Sequence, residues 1–305
     1  IGGASGFEGQ LFYQTSAGTF VRQMQNFFAE DKISEDLGAL MIDVDNDGDN
    51  DLYIVSGGYE FLSDARAKSL QDRLYLNDGK GNFSKATKAL PEMLTSGSRA
   101  YSADFNKDGK LDILTLGRQV PGNYPSPANS YVLINESTKD NLKFNINSFD
   151  VFKDLGMATS AIITDIDNDT WLDIIVVGEW MPIRVFKNVK TGFKEVSKEM
   201  GLDVDTAGWW WSINEGDFDN DGDMDYIIGN NGLNYKYQAN ADETFDIFVN
   251  DFDRNNKVDI VLSYYNEGVQ YPVRGRSCSS QQIPSIKDKF KNYDTFAEAS
   301  LVDVY

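Results

Sequence analysis

Five stretches of nine residues carry oxygen donors at alternate places: DVDNDGDND from Asp43 to Asp51, DFNKDGKLD from Asp104 to Asp112, DIDNDTWLD from Asp165 to Asp173, DFDNDGDMD from Asp217 to Asp225 and DFDRNNKVD from Asp251 to Asp259. Each opens and closes on Asp and holds Asp or Asn at its third and fifth places. Alternate carboxylates on a tight loop converge on one centre, and a hard cation such as Ca2+ takes about six to eight oxygens at roughly 2.3–2.6 Å. The expected donors are then the side chains of places one, three, five and nine with the backbone carbonyl of place seven. In the first loop these are Asp43, Asp45, Asp47 and Asp51 with Asp49, and in the second Asp104, Asn106, Asp108 and Asp112 with Lys110. The third offers Asp165, Asp167, Asp169 and Asp173 with Trp171, and the fourth Asp217, Asp219, Asp221 and Asp225 with Asp223. The fifth offers Asp251, Asp253, Asn255 and Asp259 with Lys257. Up to five Ca2+ are expected, with Mg2+ as a substitute. The donor order follows the first nine places of an EF-hand loop, but the twelfth-place Glu is absent and strand-like segments flank each loop, which excludes a helix-loop-helix sensor.

The sixth place must turn sharply, and glycine does so at no steric cost. Gly48, Gly109 and Gly222 meet that need, Asn256 tolerates it, and the β-branched Thr170 is poorly suited. The first, second and fourth loops therefore rank as the best-formed sites, the fifth next and the third last.

The composition agrees with a cation as partner. The 305 residues carry 28 Lys and Arg against 48 Asp and Glu, a net charge of −20, which argues against nucleic acid or anionic lipid. Five divalent ions would cancel half of that charge, so binding and folding should be coupled. The chain has no histidine, which removes Ser-His-Asp and Cys-His nucleophiles and His-ligated zinc. Cys278, the single cysteine, allows no internal disulfide and has no histidine to activate it. No stretch reaches the roughly 18 apolar residues of a membrane-spanning helix.

An apolar run follows each loop (LYIVSGG, ILTLGR, IIVVGEW, YIIGNNG, IVLSYY) and a strand-like segment precedes it (GALMI, SRAYSA, TSAIIT, WSINEG, DIFVN). In the first three repeats two further strand signals follow, RLYLNDGKGNFSKA, YVLINES with KFNINSF, and IRVFKNVKTGFKEV. Four strands at loop intervals of 61, 61, 52 and 34 residues predict an all-β fold of four-stranded β-propeller blades over residues 1–280, the shortest interval with trimmed outer strands. Residues 1–23 match the tail of a repeat whose acidic loop is missing. Together with the initial Ile, this marks the chain as a piece of a longer protein whose ring is incomplete here. Residues 281–305 change character, with Phe290, Tyr293, Phe296, Ala297 and Leu301 at helical spacing; they read as one amphipathic helix, an insertion or the start of a next region.

On these loops and strands the chain resembles the FG-GAP/VCBS family of calcium-binding propeller blades. DRLYLNDGKGNF, LTSGSRA, VVGEWMPI, GWWWS, GNNGLN and YPVRGR are similar to large bacterial surface proteins, common in Bacteroidetes, that carry these repeats and often an ASPIC/UnbV domain, with relatives among the cartilage acidic proteins. The resemblance implies a seven- or eight-bladed propeller completed outside these residues, secretion, and lipoprotein anchoring at the outer membrane. It carries over the metal positions loop by loop, with Thr170 and Asn256 as departures, and no reaction. The expectation is a non-catalytic, calcium-stabilised interaction module of a cell-surface protein, binding proteins of an outer-membrane assembly. The alternative is a glycan-binding or glycan-processing subunit using the propeller mouth. For that alternative the candidates are Trp209, Trp210 and Trp180, with Tyr124 beside them, although strand alternation must turn at least one of the consecutive tryptophans into the packing. Glu215 and Arg99 fall on segments expected to line a channel, and Arg274, Arg276 and Cys278 form the only compact basic spot.

Overall fold

The computed structural model describes all residues except 60–63, 148–149, 203–205 and 233–234, together with the side chains of 64–66. The last two residues of the GNNGLN motif thus lie outside the described residues. Residues 1–230 and 231–305 form two compact units.

The first unit is built from antiparallel sheets. An N-terminal hairpin pairs β1 (Leu11–Gln14) with β2 (Phe20–Gln23), where the sequence places the tail of a repeat, and a short α1 (Asn26–Glu30) follows. Sheet one comprises β3 (Glu35–Ile42), β4 (Asp51–Gly57), β5 (Arg73–Asn77) and β6 (Phe83–Lys85) in sequential order. Sheet two repeats this with β7 (Ser96–Ala103), β8 (Asp112–Gln119), β9 (Tyr131–Asn135) and β10 (Phe144–Ile146). Sheet three contains β11 (Met157–Thr164), β12 (Asp173–Met181), β13 (Arg184–Asn188) and β14 (Phe193–Glu195). It continues through the Glu179–Trp209 pairing into β15 (Gly208–Gly216) and β16 (Asp225–Asn230). Among the described residues no strand lies between Asn230 and Asp246, as the short interval predicts.

The second strand of each sheet is buried on both faces, which explains its unbroken apolar run. In β4, Tyr53 and Val55 pack with Ile113 of β8, while Leu52 and Ile54 face Phe27 and Phe28 of α1. In β8, Leu114 and Leu116 turn the other way, onto Ile174 and Val176 of β12. In β12, Ile175 and Val177 meet Ile213 of β15. Period-two alternation thus stacks successive sheets face to face. The strands that lead into the loops also bond to one another: Ser98 Oγ of β7 donates to Ala158 O of β11 at 2.8 Å, and Thr159 Oγ1 of β11 to Trp210 O of β15 at 2.7 Å. At Gly38 a Cβ would sit 2.8 Å from Ser98 O, so β3 and β7 approach this closely only with glycine there.

A buried carboxylate ties sheets one and two together. Asp72 accepts from Tyr53 Oη at 2.5 Å, the Ser56 amide at 2.8 Å and Thr115 Oγ1 of β8 at 3.0 Å. Burial pushes its carboxyl up to about 6, against an ordinary value of 3.8. The folded state therefore binds the proton more tightly than the unfolded chain. The cost of the charge is absent below about pH 3.8 and fully present above about pH 6, so stability falls as pH rises through that window. The shift corresponds to about 3 kcal/mol. Urea unfolding of metal-free protein between pH 4 and 7 should show a steeper fall in the wild type than in Asp72→Asn, where the buried loop carboxyls Asp51 and Asp112 still contribute; equal slopes in the two proteins would overturn the assignment.

The second unit holds β17 (Asp246–Asn250), β18 (Asp259–Asn266) and β19 (Val269–Pro272) in one sheet, followed by α2 (Arg276–Gln282), α3 (Ser285–Lys289), α4 (Tyr293–Ala297) and α5 (Leu301–Val304). The single expected helix is thus four short ones, starting earlier. Pro284 ends the first, Asn292 caps α4 by accepting the Thr295 amide at 2.9 Å, and Ser300 with Asp303 forms a capping box on α5. Phe290, Phe296 and Leu301 are buried as the spacing predicts, whereas Tyr293 and Ala297 are exposed because the breaks rotate them outward. No described helix is long and apolar enough to cross a membrane.

Candidate metal centres

Each acidic loop connects two neighbouring antiparallel strands, so its ninth Asp is also the first residue of β4, β8, β12, β16 or β18. All five loops share one internal hydrogen-bond scheme. The first-place carboxylate accepts two amides, those of places five and six. For Asp43 these are Asp47 at 3.2 Å and Gly48 at 3.1 Å, and for Asp251 they are Asn255 and Asn256, both at 2.8 Å. Asp104, Asp165 and Asp217 do the same. The fifth-place oxygen accepts the amide of place seven in every copy. The ninth-place carboxylate accepts the amide of place two, from Val44, Phe105, Ile166, Phe218 and Phe252, at 2.9–3.1 Å.

The sixth place is left-handed throughout, with φ of 96° at Gly48, 86° at Gly109, 98° at Gly222, 63° at Asn256 and 72° at Thr170. The third loop therefore adopts the same turn despite its β-branched residue, held by the paired Asp165 bonds to the Asp169 and Thr170 amides. The fourth place is left-handed as well, at Asn46, Lys107, Asn168, Asn220 and Arg254. Sequence reading missed this second turn, for which the three asparagines are the visible signal.

These turns bring carboxylates together. Asp43, Asp45 and Asp51 each place an oxygen within 4.8 Å of the others, and the triads Asp165, Asp167, Asp173, then Asp217, Asp219, Asp225, then Asp251, Asp253, Asp259 do the same. In the second loop Asn106 takes the third place, with Asp104 and Asp112 on either side. Desolvation raises the ninth-place carboxyls of the first three loops: Asp51 and Asp112 are each pushed up to about 6 and Asp173 is raised. Among the described residues Asp49 Oδ1 is a buried side-chain oxygen with no donor, and its carboxyl is raised by desolvation and then by Asp47, Asp45 and Asp43. An all-oxygen, acceptor-rich set with an orphaned oxygen fits a hard divalent cation.

A residue outside the loops completes the frame. The ninth-place carboxylate also accepts an amide from the last residue of the third strand: Asn77 at 2.8 Å, Asn135 at 2.8 Å and Asn188 at 2.7 Å. Their side chains reach further. Asn135 Nδ2 donates to Val44 O of the preceding loop at 2.9 Å, and Asn188 Nδ2 to Phe105 O at 2.9 Å, so each loop is fixed by the following sheet. The recurring strand ends RLYLN, YVLIN and RVFKN were the signal for these asparagines.

The FG-GAP-like repeat model matches residues 43–115 and 165–228. Each match begins on the first Asp of a loop and ends in the strand after the next, so each match spans two loops. The fifth loop lies outside both stretches yet keeps the same hydrogen-bond scheme. No curated protein matches the chain.

Four of the five tryptophans gather near the strand ends remote from the loops. Trp209 and Trp211 lie with Trp180 in a row, with ring centroids 5.4 Å apart for Trp180–Trp209 and 6.2 Å for Trp209–Trp211. Trp210 alternates to the other face and packs against the Ile175–Ile213 cluster. Beneath the row, Glu179 accepts Arg118 Nε at 2.9 Å and Trp209 Nε1 at 3.1 Å, and Trp180 Nε1 donates to Tyr124 Oη at 2.6 Å. Arg99 and Glu215 are exposed on β7 and β15. Arg276 Nε donates to Phe290 O at 2.6 Å and Arg274 Nη1 to Gln282 Oε1 at 2.5 Å, while Cys278 is exposed on α2.

Proposed function

We propose that the chain is a calcium-stabilised interaction module of a surface protein, its stacked four-stranded sheets being blades of a β-propeller. The observation that carries this reading is the shared hydrogen-bond scheme of five loops separated widely in sequence, four of which bring three carboxylates within 4.8 Å. The side chains of places one, three, five and nine with the carbonyl of place seven would hold Ca2+ or, more weakly, Mg2+. Bound calcium would supply positive charge where carboxylates otherwise repel. Millimolar extracellular calcium keeps even sites of about 10⁻⁴ to 10⁻³ M loaded, which suits a cell-surface location and an outer-membrane assembly with protein partners. The reading is a non-catalytic one, in keeping with a chain that has no histidine to activate a hydroxyl or the Cys278 thiol. Calorimetric titration of chelated protein tests the proposal: several calcium equivalents are expected, and no heat of binding overturns it.

The row formed by Trp180, Trp209 and Trp211 favours a second reading, glycan recognition by stacking on aromatic faces. Under it, Trp211→Ala abolishes the quenching of tryptophan fluorescence by soluble glycans without lowering the melting temperature. Trp210→Ala lowers stability and leaves binding intact. Equal quenching of wild type and Trp211→Ala would remove the glycan reading.

A further inference from the structure

The third loop differs from the others in what rests on it. Its triad of Asp165, Asp167 and Asp173 has the same spread as those of loops one, four and five. Yet Lys187 of β13 reaches across so that its Nζ pairs with Asp167 Oδ2 and lies 3.5 Å from Asp169 Oδ2. Among the described residues the other four loops make no ion pair with a lysine or arginine. The place of Lys187 in the fold is fixed by its neighbour, because Asn77, Asn135 and Asn188 each donate their amide to the ninth Asp of their own loop. The residue before each asparagine is therefore equivalent. In β5 it is Leu76 and in β9 it is Ile134, neither of which can offer a charge. Two more ammonium groups border the same loop: Lys107 Nζ donates to Thr170 Oγ1 at 2.7 Å and lies 4.5 Å from the Trp171 ring centre, and Lys190 Nζ lies 5.8 Å from it.

We propose that Lys187 is a tethered internal cation on the third loop, which excludes divalent metal there and keeps that loop assembled when calcium is withdrawn. The inference rests on the reading of the other loops as calcium sites. An ammonium offers three donors, and of the three ammonium groups that border this loop Lys187 is the one that pairs with its carboxylates. Being attached to β13, it competes at an effective concentration on the order of millimolar, whereas a metal ion must arrive from solution. Calcium entering the third loop must first displace this ion pair and then share the site with a residual like charge. The same loop carries the Lys107–Thr170 link to the second loop, so a permanently neutralised third loop holds its neighbour in place independently of calcium. The third loop is thus the weakest calcium site for a reason outside its own nine residues, and not because of Thr170.

Calorimetric titration of the whole chain with Ca2+ alone, followed also by tryptophan fluorescence because Trp171 is in the third loop, tests this. Lys187→Met removes the charge and keeps the length; Leu76→Lys places an ammonium on the first loop. Lys187→Met is expected to bind one more calcium equivalent than the wild type, or to tighten its weakest site at least about tenfold. Leu76→Lys should lose one equivalent. Identical isotherms for wild type and Lys187→Met, or an unchanged count in Leu76→Lys, overturn the proposal. The two readings fail separately. A wild type that binds no calcium while Lys187→Met binds one defeats the general calcium reading and upholds the role of Lys187, and binding by neither protein defeats both.

Discussion

Chelation is expected to lower the melting temperature of the first unit by at least about 15 °C relative to protein in 1 mM Ca2+. An ion at about a hundred times its dissociation constant stabilises the folded state by roughly 2.7 kcal/mol per site. The three such sites in residues 1–230 then supply about 8 kcal/mol, as much as the whole stability of an ordinary domain. For a unit of this size each kcal/mol moves the midpoint by roughly 2–4 °C. The acidic loops enlarge the effect, because a net charge of −20 is concentrated in clusters whose carboxylates lie within 4.8 Å of one another. Differential scanning calorimetry in chelator and in calcium checks the result, and Mg2+ should give a smaller rise because it demands tighter octahedral geometry and sheds water reluctantly. A shift below about 5 °C would show that the loops do not depend on metal.

The second large effect requires no metal. Asp112→Ala should cost about 3–5 kcal/mol in chelated protein, because Asp112 is fully buried and accepts the amides of Phe105 at 3.0 Å and Asn135 at 2.8 Å. Alanine leaves both donors without an acceptor and unties the second loop from β9. Asp108→Ala, on the exposed part of the same loop, removes an acceptor for the Lys110 amide that water can replace, and should cost under about 1 kcal/mol. Urea unfolding of the two variants in chelator compares them directly. If Asp112→Ala were as stable as wild type there, the ninth carboxylate would serve metal alone. Its double use explains why that Asp is kept in all five copies while the third and fifth places admit Asn.

The acidic loops, their flanking strands and the four-stranded repeat were legible in the sequence because each rests on local chemistry. Alternate carboxylates, a glycine at the turn and β-branched apolar runs act within a few residues of one another. The left-handed fourth place was legible only in retrospect, since Lys107 and Arg254 occupy it beside three asparagines. The C-terminal helical spacing was readable, but not its division, because the caps at Asn292 and Ser300 outweigh the continuity of the apolar stripe.

What the residues by themselves determined is the set of donors and the strands that carry them. Tertiary structure alone decided how those donors are held and balanced. Asn135 and Asn188 act on loops that precede them by many residues, Asp72 joins two sheets, and Trp210 turns inward while Trp209 and Trp211 do not. Lys187 is one lysine among many in the sequence and becomes the counter-ion of the third loop only when β13 is laid beside β12. Contacts of this kind depend on sheet register and stacking, which bring together groups that no local pattern connects.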